Sequence, residues 1–560
     1  MKRSTRTLMA AVAVLTALVA PGLAASAPAN GFDPARILKP DGSAWPTYSG
    51  DYSGQRFSPL TQVNQGNVGK LKLAFSTTLK TDPADASVGG VASIAALPLA
   101  ARASVRASVL QIDGVLYASA PDHAWAVDAR SGKVLWHYYW RTRGGTHIGN
   151  RGMAMWGDSV FVETPDNYLI SLDAKTGKER WHTEIAGLEE QYFSTTAPVV
   201  VGDHLLVGTG GDLDAAGFLQ SFDPRTGKLQ WKTYTVPMNP GDPGLETWKD
   251  LDAARHGGGN AWVPGSYDPE TGLYIIGTGN PTPSYFSAPR GDKDALYTCS
   301  LVAIDVETGK IKWHYQTSPN DTHDWDSAQT PVLADIVFKG KPRKVAMTAA
   351  RNGYFFVVDR TTGEHLVTGK FSDTANWALP TLNDKGQPVR NPSKDHLPGG
   401  ALVSSANAGA ANWPPPSYSP QTGLFYVPVT ESWAMYYTGE ADPRGSVGLQ
   451  GKIEIALGAQ YFVKAIDPKT GKIAWSIKYP STGPRRGQSI GLLTTAGRLL
   501  FTDDARGALV ARDSATGRPL WHYAFPGITT VSNAPQTYML DGKQYVLAAA
   551  GDTLNAFTVQ

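Results

Sequence analysis

The chain of 560 residues is rich in the residues of short strands and tight turns, with 59 Gly, 39 Pro and 16 Trp, and 18% of its residues are charged. Its formal net charge of +2 and its scattered Lys and Arg residues argue against nucleic acid or another polyanion as partner. A single cysteine, Cys299, excludes an intrachain disulfide and a Cys-rich metal site, and its strand-like surroundings predict a buried, unreactive thiol.

Residues 1–27 have the parts of a secretory signal peptide: a basic start, an apolar run from Leu8 to Ala20, and small residues at Ala24–Ala27. The alternative is a membrane anchor, but ~13 apolar residues are fewer than the ~20 that a bilayer span requires. No later segment of the sequence is long and apolar enough to span a membrane. We therefore expect an exported, periplasmic protein whose mature part, residues 28–560, is a single domain.

One motif recurs along the chain, as in AVDARSGKVLW from Ala126 and AIDPKTGKIAW from Ala465. In six copies an Asp and a Trp stand eight positions apart: Asp128/Trp136, Asp173/Trp181, Asp223/Trp231, Asp305/Trp313, Asp467/Trp475 and Asp513/Trp521. Three looser copies, SYDPETGLYI, VVDRTTGEHL and SYSPQTGLFY, lack that Trp.

This repeat predicts the fold. Apolar alternation before the Asp indicates a strand, the Asx/Thr-Gly step indicates a hairpin, and the next strand carries the Trp. Units of about four strands every 40 to 50 residues are typical of propeller blades. The Trp residues would then pack between neighbouring blades. We expect an all-β fold, a closed β-propeller of about eight blades with docked tryptophans.

The stretch SPNDTHDWD at residues 318–326 places Asp321, Asp324 and Asp326 within six positions. Like charges so close together repel, so either water solvates them or a cation lies between them. Taken by itself, the stretch is more typical of a solvated surface loop. Asp321 is expected to be a structural turn residue.

Seven stretches follow one another in a fixed order: residues 45–76, 150–162 (NRGMAMWGDSVFV), 208–231, 257–283 (with GTGNPTP), 318–326, 350–363 (ARNGYFFVVDRTTG) and 411–428 (with ANWPPP). Together they resemble the pyrroloquinoline quinone (PQQ) dependent alcohol dehydrogenases over essentially the whole mature chain. The resemblance implies oxidation of an alcohol to an aldehyde by hydride transfer to PQQ. Because the sequence has no CxxCH haem motif, the electrons would leave to a separate periplasmic cytochrome c. A homodimer is left open.

The resemblance also implies a metal site. The family's metal ligands match Asp212, Asn280 and Asp324, all oxygen donors of the kind that a hard cation prefers. Asp324 also matches the catalytic base. Asp326, two positions later, resembles the second carboxylate of the lanthanide-using branch, since an additional negative ligand favours a trivalent ion. Ca²⁺ is the alternative cation.

The cofactor residues can be carried over in the same way. Trp262 matches the tryptophan on which the quinone stacks, and Arg151 and Arg351 match basic residues that meet its carboxylates and ortho-quinone oxygens. Further cofactor contacts fall on Thr195, Thr209, Gly210, Gly211 and Asn412. Taken singly, these residues would be assigned to core, strand, turn or surface positions.

Three departures from the family pattern leave substrate range and affinity open. The adjacent cysteines are absent from GGTHIG at residues 144–149, Arg106 stands where a glutamate is usual near the cofactor's rim, and Asp212 is one methylene shorter than the usual glutamate. Two other functions remain: a secreted, non-catalytic propeller scaffold, or the same chemistry on sugars or polyols. A funnel lined by Trp433, Tyr436 and Tyr437 would favour apolar or aromatic alcohols.

Overall fold

The computed structural model describes residues 28, 31–83, 86–87, 104–144, 149–211, 214–438, 452–455, 458–479, 490–504, 507–526 and 531–559. Among them, one α-helix, α1 (Leu251–Arg255), and short 3₁₀ helices at Pro34–Leu38, Val68–Lys70, Leu245–Thr247, Ala288–Arg290 and Pro392–Lys394 lie in connections between strands. None of the helices in this part of the chain has the length and apolar character needed to cross a bilayer.

The strands form eight successive blades, which confirms the predicted eight-bladed β-propeller. In chain order, the N-terminal segment contains β1 (Phe57–Ser58) and β2 (Leu71–Thr78). Blade 1 contains β3 (Leu110–Ile112), β4 (Val115–Ala120), β5 (His123–Asp128) and β6 (Val134–Tyr139); blade 2 contains β7 (Ala154–Trp156), β8 (Ser159–Glu163), β9 (Tyr168–Asp173) and β10 (Glu179–Glu184). Blade 3 contains β11 (Val199–Val201), β12 (His204–Gly208), β13 (Phe218–Phe222) and β14 (Leu229–Tyr234); blade 4 contains β15 (Ser266–Asp268), β16 (Leu273–Gly277), β17 (Ser300–Asp305) and β18 (Ile311–Gln316).

Blade 5 contains β19 (Val332–Phe338), β20 (Lys341–Ala349), β21 (Tyr354–Asp359) and β22 (His365–Lys370). The next strands are β23 (Ala378–Leu382), β24 (Pro388–Arg390), β25 (Ala401–Val403), β26 (Ser417–Ser419), β27 (Leu424–Glu431), β28 (Ala434–Tyr437), β29 (Lys452–Ile455), β30 (Gln460–Asp467) and β31 (Lys472–Lys478). Of these, β26, β27, β30 and β31 form blade 6, whereas β23–β24 and β25–β28–β29 form two small additional sheets. Blade 7 contains β32 (Leu493–Thr495), β33 (Leu499–Asp503), β34 (Ala508–Asp513) and β35 (Pro519–Ala524); blade 8 contains β36 (Gln536–Leu540), β37 (Lys543–Ala550) and β38 (Thr553–Val559) together with β2.

Five of the six tryptophan-bearing repeats place the tryptophan against a turn glycine of the next blade. In the first repeat, Asp128 Oδ1 accepts hydrogen bonds from the backbone N–H groups of Arg130 and Ser131, and Gly132 has a φ of +74°. The Trp136 ring lies directly against the turn glycine of the following repeat, since a Cβ on Gly177 would approach the ring to 2.7 Å. Trp181, Trp231, Trp313 and Trp475 lie in the same way against Gly227, Gly309, Gly363 and Gly517.

Two features join the chain ends. Strand β2 pairs antiparallel with β38, so that blade 8 is built from both ends of the propeller, and Phe75 of β2 takes the place of a docking tryptophan against Gly132. The guanidinium of Arg56, fully buried, donates to the backbone carbonyls of Tyr48, Leu492 and Pro535. These bonds tie the N-terminal segment to the last blades and close the ring.

The blade architecture also determines where polar residues converge. In blade 2 the fourth strand, β10, is largely exposed whereas the first strand, β7, is mostly buried, so the first strand is the inner one and the fourth the outer one. Because neighbouring strands are antiparallel, the residues that enter an inner strand and those that leave the second strand lie at the same end of the propeller. Connections that are far apart in sequence therefore meet there.

Candidate active site

A cavity of about 320 Å³ lies where these connections meet. Its wall is formed by Arg106, Gly149, Asn150, Arg151, Phe193, Thr195, Trp262, Asp324, Asp326, Arg351, Asn407, Ala408, Asn412 and Trp413. Most of the polar residues precede the inner strands of blades 1 to 6, whereas Arg351 follows β20 of blade 5. The wall thus combines two carboxylates, three guanidinium groups and two indole rings from six blades.

Asp326 is the best-anchored carboxylate of the cavity, with 3% of its surface exposed. Its Oδ1 accepts a hydrogen bond from the backbone N–H of Asn280 at 2.5 Å, and its Oδ2 accepts one from Trp262 Nε1 at 2.9 Å. An Arg351 guanidinium nitrogen lies 2.9 Å from the same Oδ2. Asp326 therefore fixes the orientation of the Trp262 indole and holds the Asn280 backbone beside it.

Asp324 lies next to Asp326, and its carboxylate pairs with the same guanidinium, that of Arg351. Its backbone adopts a left-handed conformation with φ +63°, a region that non-glycine residues enter at a cost and that is common near functional sites. Its Oδ1 is 3.1 Å from Arg351 Nη1, and its Oδ2 accepts a long hydrogen bond of 3.4 Å from the Tyr285 hydroxyl. A guanidinium therefore lies between the two carboxylates, which offsets the repulsion expected from the sequence.

The third carboxylate of the loop has a structural role. Asp321 is buried and accepts hydrogen bonds from the backbone N–H groups of His323 and Trp325. Burial raises the pKa of Asp321 to about 6, although these two bonds and Arg290 favour its ionised form. Asp321 thereby folds the turn that presents Asp324.

Arg151 lies between the two indole rings of the cavity. Its guanidinium carbon is 4.7 Å from the centre of the Trp262 ring and 5.1 Å from that of Trp413. Arg351 also lies over Trp262, at 5.4 Å. Trp262 and Trp413 thus offer planar surfaces, and the arginines supply positive charge beside them.

Comparison with known proteins agrees with this geometry. The sequence profile of a family described as "PQQ: Glucose/ethanol/alcohol dehydrogenase, beta-propeller domain" matches residues 45–374 and 463–546. The chain belongs to the PQQ-dependent alcohol dehydrogenase family. It is 36% identical to the quinohemoprotein alcohol dehydrogenase ADH-IIG of Pseudomonas putida over 97% of this chain and 77% of that protein. It is 35% identical to the quinoprotein alcohol dehydrogenase PedH of Pseudomonas putida over 89% of this chain and 84% of that protein.

Solved structures of this dehydrogenase family have the same architecture. The structure of ADHIIG from Pseudomonas putida HK5 superposes with a TM-score of 0.84 at 31% sequence identity, covering 94% of this chain and 82% of that one. A europium-containing methanol dehydrogenase superposes with a TM-score of 0.80 at 26% identity, covering 94% of this chain and 99% of that one.

The buried polar atoms of this dehydrogenase fit a flat, polar cofactor. Within the described part of the chain, Thr195 Oγ1, Thr209 Oγ1, Asn260 Oδ1 and Arg151 Nε are buried and have no hydrogen-bond partner. Unpartnered buried polar groups are rare in native proteins because each costs about 1–3 kcal/mol. Thr195 and Arg151 lie on the cavity wall, where a ligand rich in oxygen atoms would satisfy them.

The carboxylate oxygens of Asp324 and Asp326 are donors of the kind that a hard cation prefers, and the backbone N–H of Asn280 lies 2.5 Å from Asp326 Oδ1. Asp212 lies outside the described residues. Among the residues that are described, no three His, Cys, Asp or Glu side chains are grouped as metal ligands. A complete site would therefore require the amide oxygen of Asn280 and a further oxygen donor.

The structure brings most of the predicted residues to the cavity, but not all of them. Arg151, Thr195, Trp262, Asp324, Asp326, Arg351 and Asn412 lie on the cavity wall. Thr209, Gly210 and Gly211 follow β12 behind it: a Cβ on Gly210 would approach the Phe193 ring to 2.1 Å, and Gly211 accepts a hydrogen bond from Asn260 Nδ2. In their described positions, Gly210 contacts Phe193 and Gly211 bonds to Asn260.

Several residues of the wall were not predicted. Asn150, Phe193, Asn407 and Trp413 line the cavity although no charge, repeat or spacing marks them in the sequence. Trp413 adjoins the predicted Asn412, which could have indicated it. The expected aromatic funnel of Trp433, Tyr436 and Tyr437 does not line this cavity: Tyr436 is buried against His323, with ring centres 4.7 Å apart.

Proposed function

We propose that this dehydrogenase oxidises primary alcohols to aldehydes with bound PQQ, assisted by a lanthanide ion or Ca²⁺, and transfers the electrons to a cytochrome c. The observation that carries the proposal is the convergence of Asp324, Asp326, Arg351 and Trp262 on one cavity. A propeller that served only as a scaffold would have no need of two ion-paired carboxylates and unpartnered buried polar atoms in one cavity.

The residues of the chain have separable roles in this reaction. Asp324 accepts the hydroxyl proton of the alcohol, since its carboxylate lies on the cavity wall. General-base catalysis of this kind contributes about 10²–10⁴-fold in rate. Arg351 holds the Asp324 side chain in position through its 3.1 Å contact. Asp326 orients the ring of Trp262 through the indole N–H.

PQQ would stack on Trp262, and its polar edge would meet Arg151, Arg351, Thr195 and Asn412. Thr209, Gly210 and Gly211 would lie behind that edge. The cation would be held by Asp324, Asp326, Asn280 and Asp212, with Asp326 favouring a trivalent ion. When bound, PQQ supplies the two-electron acceptor and the cation supplies a Lewis acid.

We further propose that residues 1–27 are an export signal and that residues 28–560 act as one periplasmic domain. The basic and apolar pattern of the first 20 residues supports export. A cytochrome as electron acceptor is supported by the relative ADH-IIG, which is named a quinohemoprotein.

Reconstitution tests this function. The metal-free protein would be loaded with PQQ and either Ca²⁺ or La³⁺, and dye reduction followed with primary alcohols, sugars and polyols. We expect turnover of primary alcohols with La³⁺ and its loss in Asp326→Ala. Activity with Ca²⁺ alone would remove Asp326 from the metal site. Absence of PQQ binding and turnover with both metals would refute the proposed function.

A further inference from the structure

The charges on the cavity wall are unevenly distributed. Both carboxylates, Asp324 and Asp326, are paired with Arg351. Within the described residues, neither of the other two arginines of the wall, Arg106 and Arg151, makes an ion pair. One side of the cavity therefore carries two positive charges that no carboxylate of the wall pairs with; the buried Glu163, which is not part of the wall, is the carboxyl group that acts on Arg151.

The desolvation cost of the unpaired charges is larger for Arg151 than for Arg106, because only 9% of Arg151 is exposed. One guanidinium nitrogen donates to the Thr195 carbonyl at 2.6 Å, and Nε has no partner in the described part of the chain. Burial lowers the pKa of Arg151 to about 10, and the charges of Arg106 and Arg351 act in the same direction. Buried charges in native proteins are normally paired, so this side is built for an anion.

Arg106 is placed to share that anion. It precedes β3 of blade 1, its side chain is exposed, and it lies on the cavity wall close enough to influence the charge of Arg151. A guanidinium presents its N–H groups in a planar fork that matches a carboxylate, and Arg106 can reach outward from the wall.

We propose that Arg106 binds a carboxylate group of the ligand at the mouth of the cavity, beside Arg151. This inference rests on the proposed function. The carboxylate has two sources: one of the carboxylates of PQQ itself, or the carboxylate of a hydroxy-acid substrate. In both cases, Arg106 makes the cavity selective for an anionic ligand.

The first arm of the test measures PQQ binding, with La³⁺ and separately with Ca²⁺ present, by quenching of tryptophan fluorescence, at low and at high salt. We expect Arg106→Gln to raise the Kd about 10-fold at low salt, the loss of one charge-assisted hydrogen bond, with a smaller effect at high salt. Arg106→Lys keeps the positive charge but lacks the planar guanidinium fork, so its Kd for PQQ should lie between those of wild type and Arg106→Gln. Arg518→Gln, which removes an exposed arginine outside the cavity, is the matched control.

The second arm measures KM for glycolate and for ethanol with PQQ-loaded protein. If the substrate supplies the carboxylate, Arg106→Gln raises KM for glycolate about 10-fold, whereas KM for ethanol and the Kd for PQQ stay unchanged. A change in the PQQ Kd assigns the carboxylate to the cofactor.

An Arg106→Gln variant with unchanged PQQ Kd and unchanged KM for both alcohols would overturn the proposal while leaving the proposed function intact. A wild-type protein that binds no PQQ would overturn both. Because Arg106 is an exposed residue outside the strands, Arg106→Gln is expected to fold, and its circular dichroism spectrum should match that of Arg518→Gln.

Discussion

Replacement of Asp326 by alanine should destabilise the protein even before cofactor or metal is added. The substitution removes the acceptor of the Asn280 N–H at 2.5 Å and of the Trp262 indole N–H at 2.9 Å, both in a largely buried place. Each unsatisfied buried donor costs about 1–3 kcal/mol. Part of this loss is offset because Asp324 is relieved of a neighbouring like charge and retains Arg351.

The expected decrease in the free energy of unfolding is therefore about 2–5 kcal/mol. It would be measured by urea unfolding of the PQQ-free and metal-free protein. Asp326→Asn keeps one acceptor oxygen and should lose about half as much. Asp252→Ala, at a side chain that is 93% exposed, is the control and should change stability by less than about 0.5 kcal/mol. If Asp326→Ala unfolds within about 0.5 kcal/mol of wild type, the described hydrogen bonds do not anchor Trp262.

Three further predictions follow from the site and the core. Asp324→Asn should reduce kcat by about 10²–10⁴-fold while the Kd for PQQ changes little, as measured by dye reduction and fluorescence titration. Glu163 is buried with both carboxylate oxygens unpartnered among the described residues, and burial raises its pKa well above the usual value. Stability is therefore lost as pH rises from the unfolded pKa of ~4.3 towards the raised folded one, so Glu163→Gln should match wild type near pH 4 and exceed it at neutral pH in urea unfolding. Lys464 is fully buried, and its ammonium donates to Glu431 at 2.9 Å, so Lys464→Met should cost about 3–5 kcal/mol in the same assay.

These predictions can each fail in a defined way. Unchanged kcat in Asp324→Asn would end its role as base. A stability difference for Glu163→Gln that is independent of pH would show that the carboxyl does not titrate during unfolding. For the lysine, the double variant Lys464→Met with Glu431→Gln is the control, and it should recover part of the loss because no unpaired charge remains buried. Equal stability of the single and double variants would contradict that explanation.

The repeat determined the architecture from the sequence alone, because each Asp–Gly turn and its tryptophan are local features. The turn of Asp128 and Gly132 forms from neighbouring residues, and the spacing to Trp136 directs the ring towards the turn of the following repeat. The closure of the propeller ring could not be predicted from such local features. The docking ring of blade 8 is Phe75, and Arg56 donates to carbonyls more than 400 positions away in the sequence, so neither has a local signal.

The same division holds for the cavity. The spacing of Asp324 and Asp326 in the sequence predicted repulsion between their carboxylates, which either water or a cation would have to offset, and only the family resemblance favoured a cation. Only the tertiary structure showed that Arg351 provides that positive charge, because it reaches them from the connection after β20. Likewise, Trp413 and Arg106 become neighbours of Arg151 only when six blades bring the ends of their inner strands together, and contacts between such distant residues depend on the closed ring rather than on any local pattern.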